Sequence, residues 1–462
     1  MPGLFQALEI GKRAILTHQV SLQTLGHNIA NVNTPGYTRQ RVDITNTFPE
    51  ESAFGSVGTG VRVSNIRHIR DLFLGNQYRQ ENKSLGQWSY KEKTLRQVEE
   101  LFGEPNDNAL SDQLNKFFAS WNDLAHNPDT RNSVLSEACL LVNRFHELAN
   151  QLTTLQSSID REMVTVTREI NGLANEIARL NHEIKRSEVG AATANDLRDM
   201  RDLLIDKLST LVDVNTRDEE YGVVVVMVGS MQLVDDNHAL QIGVEIANDN
   251  GSLKHNLMWQ GTKIPFNNLD GRLKGLVDSR DEIIPRHLEQ LNALTRTLVE
   301  EVNTLHRSGY GLDGSTGTNF FAPQYTDATT IEVNSNIVSK PSMIAAAQVP
   351  DAESDNRIAL AIAALQDAKL MNDNATTING FYSSLVGSLG VETREAQSFT
   401  ESYEMLVAQI DNARQSVQGV SLDEELANMV KSQHAYDAAA RVITAMDQAL
   451  DTVIFKMGVI GR

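Results

Sequence analysis

The chain opens on a seven-residue repeat. Leu8, Ile15, Leu22 and Ile29 fall seven apart, with Leu4 and Leu25 on the adjoining register and Gly11 and His18 interrupting it. A repeat of that period marks a helix whose apolar stripe packs against another helix. The last stretch mirrors it: Leu422, Met429, Tyr436, Ile443, Leu450 and Met457 lie on a strict heptad, and Ala439, Met446, Val453 and Ile460 fill the second seam position. Both ends therefore carry an apolar stripe that asks for a partner. The first stripe must stop before Thr34-Pro35-Gly36-Tyr37, where Pro and Gly take the central positions of a type II turn. The last begins at Ser421-Leu-Asp-Glu424, which reads as a capping box, with Asp423, Glu424 and Glu425 also suited to a helix N-terminus.

Between the ends the periodicity changes twice. After the turn come short extended pieces, Thr38 to Ile44 and Val61 to Ile66, on either side of a Gly-rich stretch from Phe54 to Gly60. From Asp71 to about Asp213 the pattern is helical almost throughout. Its clearest segment carries Leu152, Leu155, Ile159, Met163, Val166, Ile170, Leu173, Ile177, Leu180 and Ile184 at spacings of three and four, a long coiled-coil-like rod. A β-branched run from Val223 to Val228 then opens a strand-rich insertion of roughly fifty residues, with further strands expected at Gln232–Val234, Ala239–Ile246 and Leu253–Trp259. Helix is expected again over Leu276–His306, kinked or restarted at Pro285, then over Ile358–Leu370 and Phe381–Gln418, with Ser308–Ala345 mostly irregular. These elements predict a mainly α, multidomain protein with a small β insertion.

Composition narrows the function. Over 462 residues Lys and Arg total 41 against 60 Asp and Glu, a formal net charge of -19. Such a balance argues against nucleic acid, since neutralising phosphates needs a basic face, and against docking on anionic lipid. The single cysteine, Cys139, sits in an apolar-periodic stretch and reads as a small buried hydrophobe; it can build neither a disulfide framework nor a Cys-rich metal site. No cleavable signal pattern opens the chain and no apolar run approaches the ~20 residues of a bilayer span. On composition alone these features read as soluble and cytoplasmic.

No constellation of catalytic or metal-binding residues emerges. His182-Glu183 lacks the second His of a zinc-protease motif, and the nucleophile-elbow and phosphate-loop patterns are absent. Gly309 to Gly317 lacks the alternating ligands and closing Glu of a calcium loop and reads as turns. The expectation is no catalytic residue, no cofactor, no metal and no enzyme, with the terminal stripes (Leu8, Ile15, Leu22, Leu25, Ile29; Leu422, Met429, Tyr436, Ile443, Met446, Leu450 and Val453) as assembly interface.

The stretch Ser21-Leu-Gln-Thr-Leu-Gly-His-Asn-Ile-Ala-Asn-Val-Asn-Thr-Pro-Gly-Tyr37 resembles the signature of the flagellar axial protein family. Its Asn28, Asn31, Asn33 and Thr34 match the family's side-chain caps around Pro35-Gly36-Tyr37. The continuation Thr38-Arg39-Gln40 is more similar to the hook-associated members that join hook to filament. So are Phe117-Phe118-Ala-Ser-Trp121 through Pro128, Gly271 to Asp281 with Asn303, His306 and Phe320-Phe321, and Gly419 to Glu425 with Ala438 to Val442. The similarity covers essentially the whole chain.

The resemblance implies discontinuous domains. Residues 1–68 and 421–462 form a coiled-coil-like inner domain; 69–215, 266–310 and 311–420 form a helical bundle with an irregular segment at 308–357; 216–265 form a small outer β-rich domain facing solvent. Longer members carry an extra outer domain after the Phe-Phe pair, and here only Ala322 to Pro341 occupies that place. It further implies a structural adaptor polymerising through its terminal helices. Expected partners are further copies of itself, hook protein, the second hook–filament junction protein and a cytoplasmic export chaperone at the C-terminus. Export through the flagellar type III channel to an extracellular site replaces the cytoplasmic reading. A hook, distal rod or second junction subunit is the nearest alternative; a coiled-coil scaffold explains the heptads but not the Pro-Gly-Tyr phrase.

Overall fold

The computed structural model describes residues 2–52, 55–103, 109–190, 193–249, 252–262, 264–267, 269–352 and 354–456. The first helix, α1 (Pro2–Ala30), leads into two antiparallel hairpins, β1 (Gln40–Asn46) with β4 (Val61–His68) and, at their tip, β2 (Glu50–Ser52) with β3 (Gly55–Val57). Four helices follow: α2 (Leu72–Phe102), α3 (Leu110–His126), α4 (Arg131–Glu188) and α5 (Asn195–Leu211). The strand-rich insertion is an antiparallel meander, β5 (Asn215–Asp218), β6 (Val224–Val228), β7 (Met231–Asp235) and β8 (His238–Ala239), then a hairpin of β9 (Ile242–Asp249) and β10 (Ser252–Trp259). Helices α6 (Gly271–Asp278), α7 (Ile284–Arg307), α8 (Ser335–Ser339), α9 (Arg357–Ala364), α10 (Ile378–Gln418) and α11 (Leu422–Asp451) complete the chain.

The two ends of the sequence meet: α11 lies along α1, and α10 returns along α2. The most buried line of α1 is not the predicted leucine stripe. It consists of Gly11, Thr17, Ser21, Thr24 and Asn28. Small polar residues serve here because they satisfy themselves: Ser21 Oγ donates to the Thr17 carbonyl (3.1 Å) and Thr24 Oγ1 to that of Val20 (3.0 Å). Gly11 does not interrupt the packing but permits it, since a Cβ there would stand 2.8 Å from Ile443 Cγ1. Leu8, Ile15, Leu22, Leu25 and Ile29 are half-buried, as are Met429, Tyr436, Ile443, Met446, Leu450 and Val453, while Leu422 is exposed. Met457 and Ile460 lie outside the described residues.

The body is held by one continuous apolar core that runs from α2–α5 through the β insertion to α7, α9 and α10. Residues far apart in sequence converge in its aromatic centre. Trp121 stands edge-on to Phe320 (ring centroids 5.2 Å) and near His306 (6.2 Å), and Phe117 packs on both Phe320 and Phe321. Asn303 fixes the Phe pair by taking the Phe321 N–H on Oδ1 (2.8 Å) and giving Nδ2 to its carbonyl (3.0 Å). Asn171 does the same for Ile242 (2.8 Å each way) and Asn181 for Val224 (2.8 and 3.2 Å), so the insertion is fastened to the flank of α4. Its valines and Trp259 enter the same core as the helices.

Local departures from the sequence reading have physical causes. Pro285 does restart the helix: Ser279–Ile283 form a π-helical turn, the Ile284 N–H reaching back to the Ser279 carbonyl, and Pro285 falls in the first turn of α7, where its missing N–H is harmless. The capping box at Ser421 is not made. The Ser421 side chain caps nothing and Glu424 turns instead to Arg39 (2.5 Å). Helix α9 stops at Ala364, short of Leu370, in a series of turns.

Two buried histidines make the body acid-sensitive. Burial pushes His287 down to about 4, with Arg286 adding to the effect, and burial lowers His306 to about 4 against the opposing hydrogen bond to the Thr318 carbonyl. His306 must be neutral, since Nδ1–H donates to Thr318 (2.7 Å) while Nε2 accepts the Ala345 N–H (2.9 Å). Both folded values lie below the unfolded one, so the stability they hold is complete above about pH 6.5 and is lost as pH falls towards 4, on the order of 3 kcal/mol each. Urea unfolding followed by tryptophan fluorescence should show this fall. His287→Leu should remove about half of it, and an unaltered slope in that variant would exclude His287 as a source.

Candidate functional site

The segment joining the terminal helices to the body is built around Asn28, which is fully buried. All four hydrogen-bonding positions of its carboxamide are used. Nδ2 donates to the Gln40 carbonyl and to Glu425 Oε2 (2.8 Å each), and Oδ1 accepts from the Tyr37 hydroxyl (2.7 Å) and the Gln40 N–H (3.0 Å). One side chain thus links the end of α1, the turn, the first residue of β1 and the first turn of α11. Glu425 is only 3% exposed and has its charge balanced by Arg39, whose Nη1 stands 3.9 Å from Oε1. Arg39 also donates its N–H to the Gln418 carbonyl (2.8 Å), tying the strand to the α10–α11 corner.

The turn is the type II turn expected of Pro-Gly: Tyr37 N–H returns to the Thr34 carbonyl (3.2 Å) and Gly36 has φ +79°. Gly36 is doubly required, because a Cβ there would also press on Leu203 at 3.1 Å. Asn31 closes the helix end by donating Nδ2 to the His27 carbonyl (3.0 Å) and accepting from Thr34 Oγ1 (3.1 Å). Asn33 does not act as a cap: it is exposed, and no side-chain hydrogen bond holds it among the described residues. Tyr37 lies edge-on to His27 (5.5 Å). Burial, and then the carboxylates of Asp196, Asp199 and Glu425, hold its hydroxyl protonated well above the usual tyrosine range, so it stays a donor to Asn28.

The other half of the joint is a carboxylate ladder on α5 that sequence reasoning missed. Asp196 accepts from Gln40 Nε2 (2.6 Å) and faces His27 (3.2 Å); Asp199 accepts the Thr38 N–H (2.8 Å) and faces His68 (3.3 Å). Asp202 pairs with Arg70, and Asp206 takes Arg79 Nε (2.7 Å) and Arg414 Nη2 (2.9 Å). The strand leaving α1 and the helix leading to α11 are therefore fastened to one helix face. The signal was present as an Asp spacing of three, three and four along one side of a helix, but an acidic stripe in an acidic chain reads first as solvated surface. Among the described residues no group of His, Cys, Asp and Glu could hold a metal ion, and no helix is long and apolar enough to cross a membrane. The arrangement ties the terminal helices to the helical body through hydrogen bonds and ion pairs.

Comparison with known proteins places the chain among flagellar structural proteins. The sequence model of the flagellar hook-associated protein FlgK helical domain matches residues 95–321, and that of the flagellar basal body rod FlgEFG protein C-terminal segment matches 402–454. Flagellar hook-associated protein 1 of Bacillus subtilis is 32% identical over the full length of both chains, and that of Escherichia coli is 25% identical over 94% of this chain and 97% of its own. The fold resembles that of the flagellar hook junction protein FlgK from Burkholderia pseudomallei, with TM-score 0.64 at 17% identity, over 74% of this chain and all of that one. The chain belongs to the flagellar hook-associated protein 1 family.

Removing the central carboxamide should loosen the joint and leave the body intact. Asn28→Ala strands the Glu425 carboxylate and both main-chain groups of Gln40, at about 3–5 kcal/mol for a buried charged network. Hydrogen exchange should show faster exchange across α1, β1 and α11, with the tryptophan-reported transition of the body unmoved. Glu425→Gln added to Asn28→Ala should recover part of the loss, as a double-mutant cycle would resolve. Equal protection in wild type and Asn28→Ala would refute the joint.

Proposed function

We propose that this chain is the structural adaptor subunit at the hook–filament junction of the bacterial flagellum, and not an enzyme. The observation that carries this reading is full-length similarity to hook-associated protein 1 together with a terminal helix pair whose apolar stripes are left half-covered. Such a pair gains most of its stability from packing against neighbours, and each Leu or Ile position further buried contributes ~1.5–3 kcal/mol. Summed around a ring, contacts of this size hold a joint that turns under load.

In this reading the subunit polymerises through Leu8, Ile15, Leu22, Leu25, Ile29 and the α11 stripe. The unit of 1–68 with 421–462 faces the channel, the helical body surrounds it, and 216–265 lie outermost. Hook protein is the neighbour below and the second hook–filament junction protein the neighbour above. The subunit leaves the cell through the flagellar type III channel after a cytoplasmic chaperone has covered α11. The Asn28 node and the α5 ladder support the mechanical part, because they tie both connections between the inner unit and the body, the strand leaving α1 and the helix leading to α11.

Deleting the gene should leave hooks of normal length while flagellin is lost to the medium; filaments still attached to hooks would refute the junction role. Ile443→Asp tests the stripe. A charge in place of the Ile443 contact with Gly11 would cost several kcal/mol once neighbours close over the half-covered stripe, so the variant should keep its helical body but bind chaperone poorly and fail to restore swimming. His434→Gln, on the far face of α11, should swim normally. Normal chaperone binding and swimming by Ile443→Asp would remove α11 from the interface.

A further inference from the structure

The terminal helix pair has unlike flanks. On one side a groove of 500 Å³ opens between α1, β1 and α11. Leu25, Val42, Ile44 and Ile69 give it an apolar floor, and Arg41 and Lys431 stand at its rim, neither in an ion pair among the described residues. On the other side α11 carries a short apolar ridge, Leu422, Leu426 and Val430, 44%, 50% and 52% exposed. At roughly 100° per residue the ridge lies roughly 100° round α11 from the seam of Glu425, Ala439 and Ile443, and the groove wall of Asn428, Lys431 and Ala435 lies roughly 90° the other way. Asp423 and Asp437 flank the ridge, exposed and likewise unpaired among the described residues.

We infer that the ridge of one copy seats in the groove of the next, making a head-to-tail contact between neighbouring copies of this chain. Apolar floor meets apolar ridge, and unpaired cations at the rim meet unpaired carboxylates beside the ridge. This charge complementarity on a strongly acidic molecule selects a second copy over an unrelated acidic partner, which would bring no matching ridge. A contact between two different patches is heterologous and repeats from copy to copy until the rotation closes. Groove wall and ridge use the same stretch of α11, so adjacent copies stand side by side at nearly one axial level, as a ring requires. The inference rests on the proposed self-association of the terminal helices and assigns it a surface and a polarity.

The test uses full-length chain in assembled flagella, in a Cys139→Ser background so that no native thiol interferes. Ile44→Cys and Leu426→Cys are placed together and separately, and isolated flagella are oxidised. The double variant should give a ladder of dimers, trimers and higher species, and each single variant only monomers. Dimers from Leu426→Cys alone would mean a two-fold contact and overturn the inference. Monomers from the double variant on flagella with attached filaments would overturn it while leaving the junction role standing. If the double variant does not assemble, charge exchange decides: Lys431→Asp and Asp423→Lys should each lose most attached filaments and together regain them. Unchanged attachment in both single variants would also overturn the inference.

Discussion

An α-helix uses its own main-chain groups internally, so it has none to offer an extended segment that must lie against it. Among the described residues this chain solves that problem four times with the same device. Asn28, Asn171, Asn181 and Asn303 each project from a helix and grip both the N–H and the carbonyl of one residue: Gln40, Ile242, Val224 and Phe321. Three of the gripped residues begin a strand and the fourth forms an isolated β-bridge with Val333. Each clasp fixes where a non-helical segment starts and therefore its register. Two buried main-chain groups left unpaired would cost about 1–3 kcal/mol each, so the clasps decide whether the segments dock at all.

Of the four, Asn28 carries the additional duty of joining the ends of the chain. Its second amide hydrogen is given to Glu425, 397 residues away. Two tethers running from a helix pair to a body could swing independently; here Arg39 ties one to the other, and α5 holds both through Asp199 and Asp206. In the proposed junction role, this node is one route by which a torque on the terminal pair would reach the helical body, beside the Thr193 and Asn195 hydrogen bonds to the Ile66 carbonyl. The short, charge-assisted contacts along α5 suit such a load path better than a greasy joint, because directional bonds resist sliding where apolar surfaces permit it.

The long-period features were legible in the sequence. Heptads placed α1 and α11, threes and fours placed α4, and Pro-Gly placed the turn after Asn31 with its type. The phrases around Phe117, Trp121, His306 and Phe320 pointed to one region and meet as its aromatic core. What could not be read were partners chosen by tertiary contact. Asn171 and Asn181 look like poor helix formers inside a good helix, and nothing local says that they hold strands 71 and 43 residues away. The α1 seam was misjudged for a related reason: period finds apolar stripes, whereas the most buried positions are Gly11, which leaves room for Ile443, and Ser21 and Thr24, whose hydroxyls bond to their own helix. Asn33 was grouped with its neighbours by pattern, yet its side chain is exposed and makes no hydrogen bond among the described residues.

The division between small and apolar positions on α1 has a mechanical consequence. If the leucine stripe alone closed on α11, the pair would be fully satisfied and indifferent to neighbours. With Gly11 making room for Ile443 and Asn28 bonded to Glu425, the pair can hold its geometry while Leu8, Ile15, Leu22 and Ile29 keep part of their surface uncovered. Specificity and driving force are thereby assigned to different residues. Gly11 and Asn28 set how the helices meet, and in the proposed assembly the half-covered apolar residues would supply free energy, since removal of apolar surface from water scales with the area still exposed. A single substitution such as Ile443→Asp strikes both roles at once, because Ile443 occupies the space that Gly11 leaves open and also belongs to the half-covered stripe.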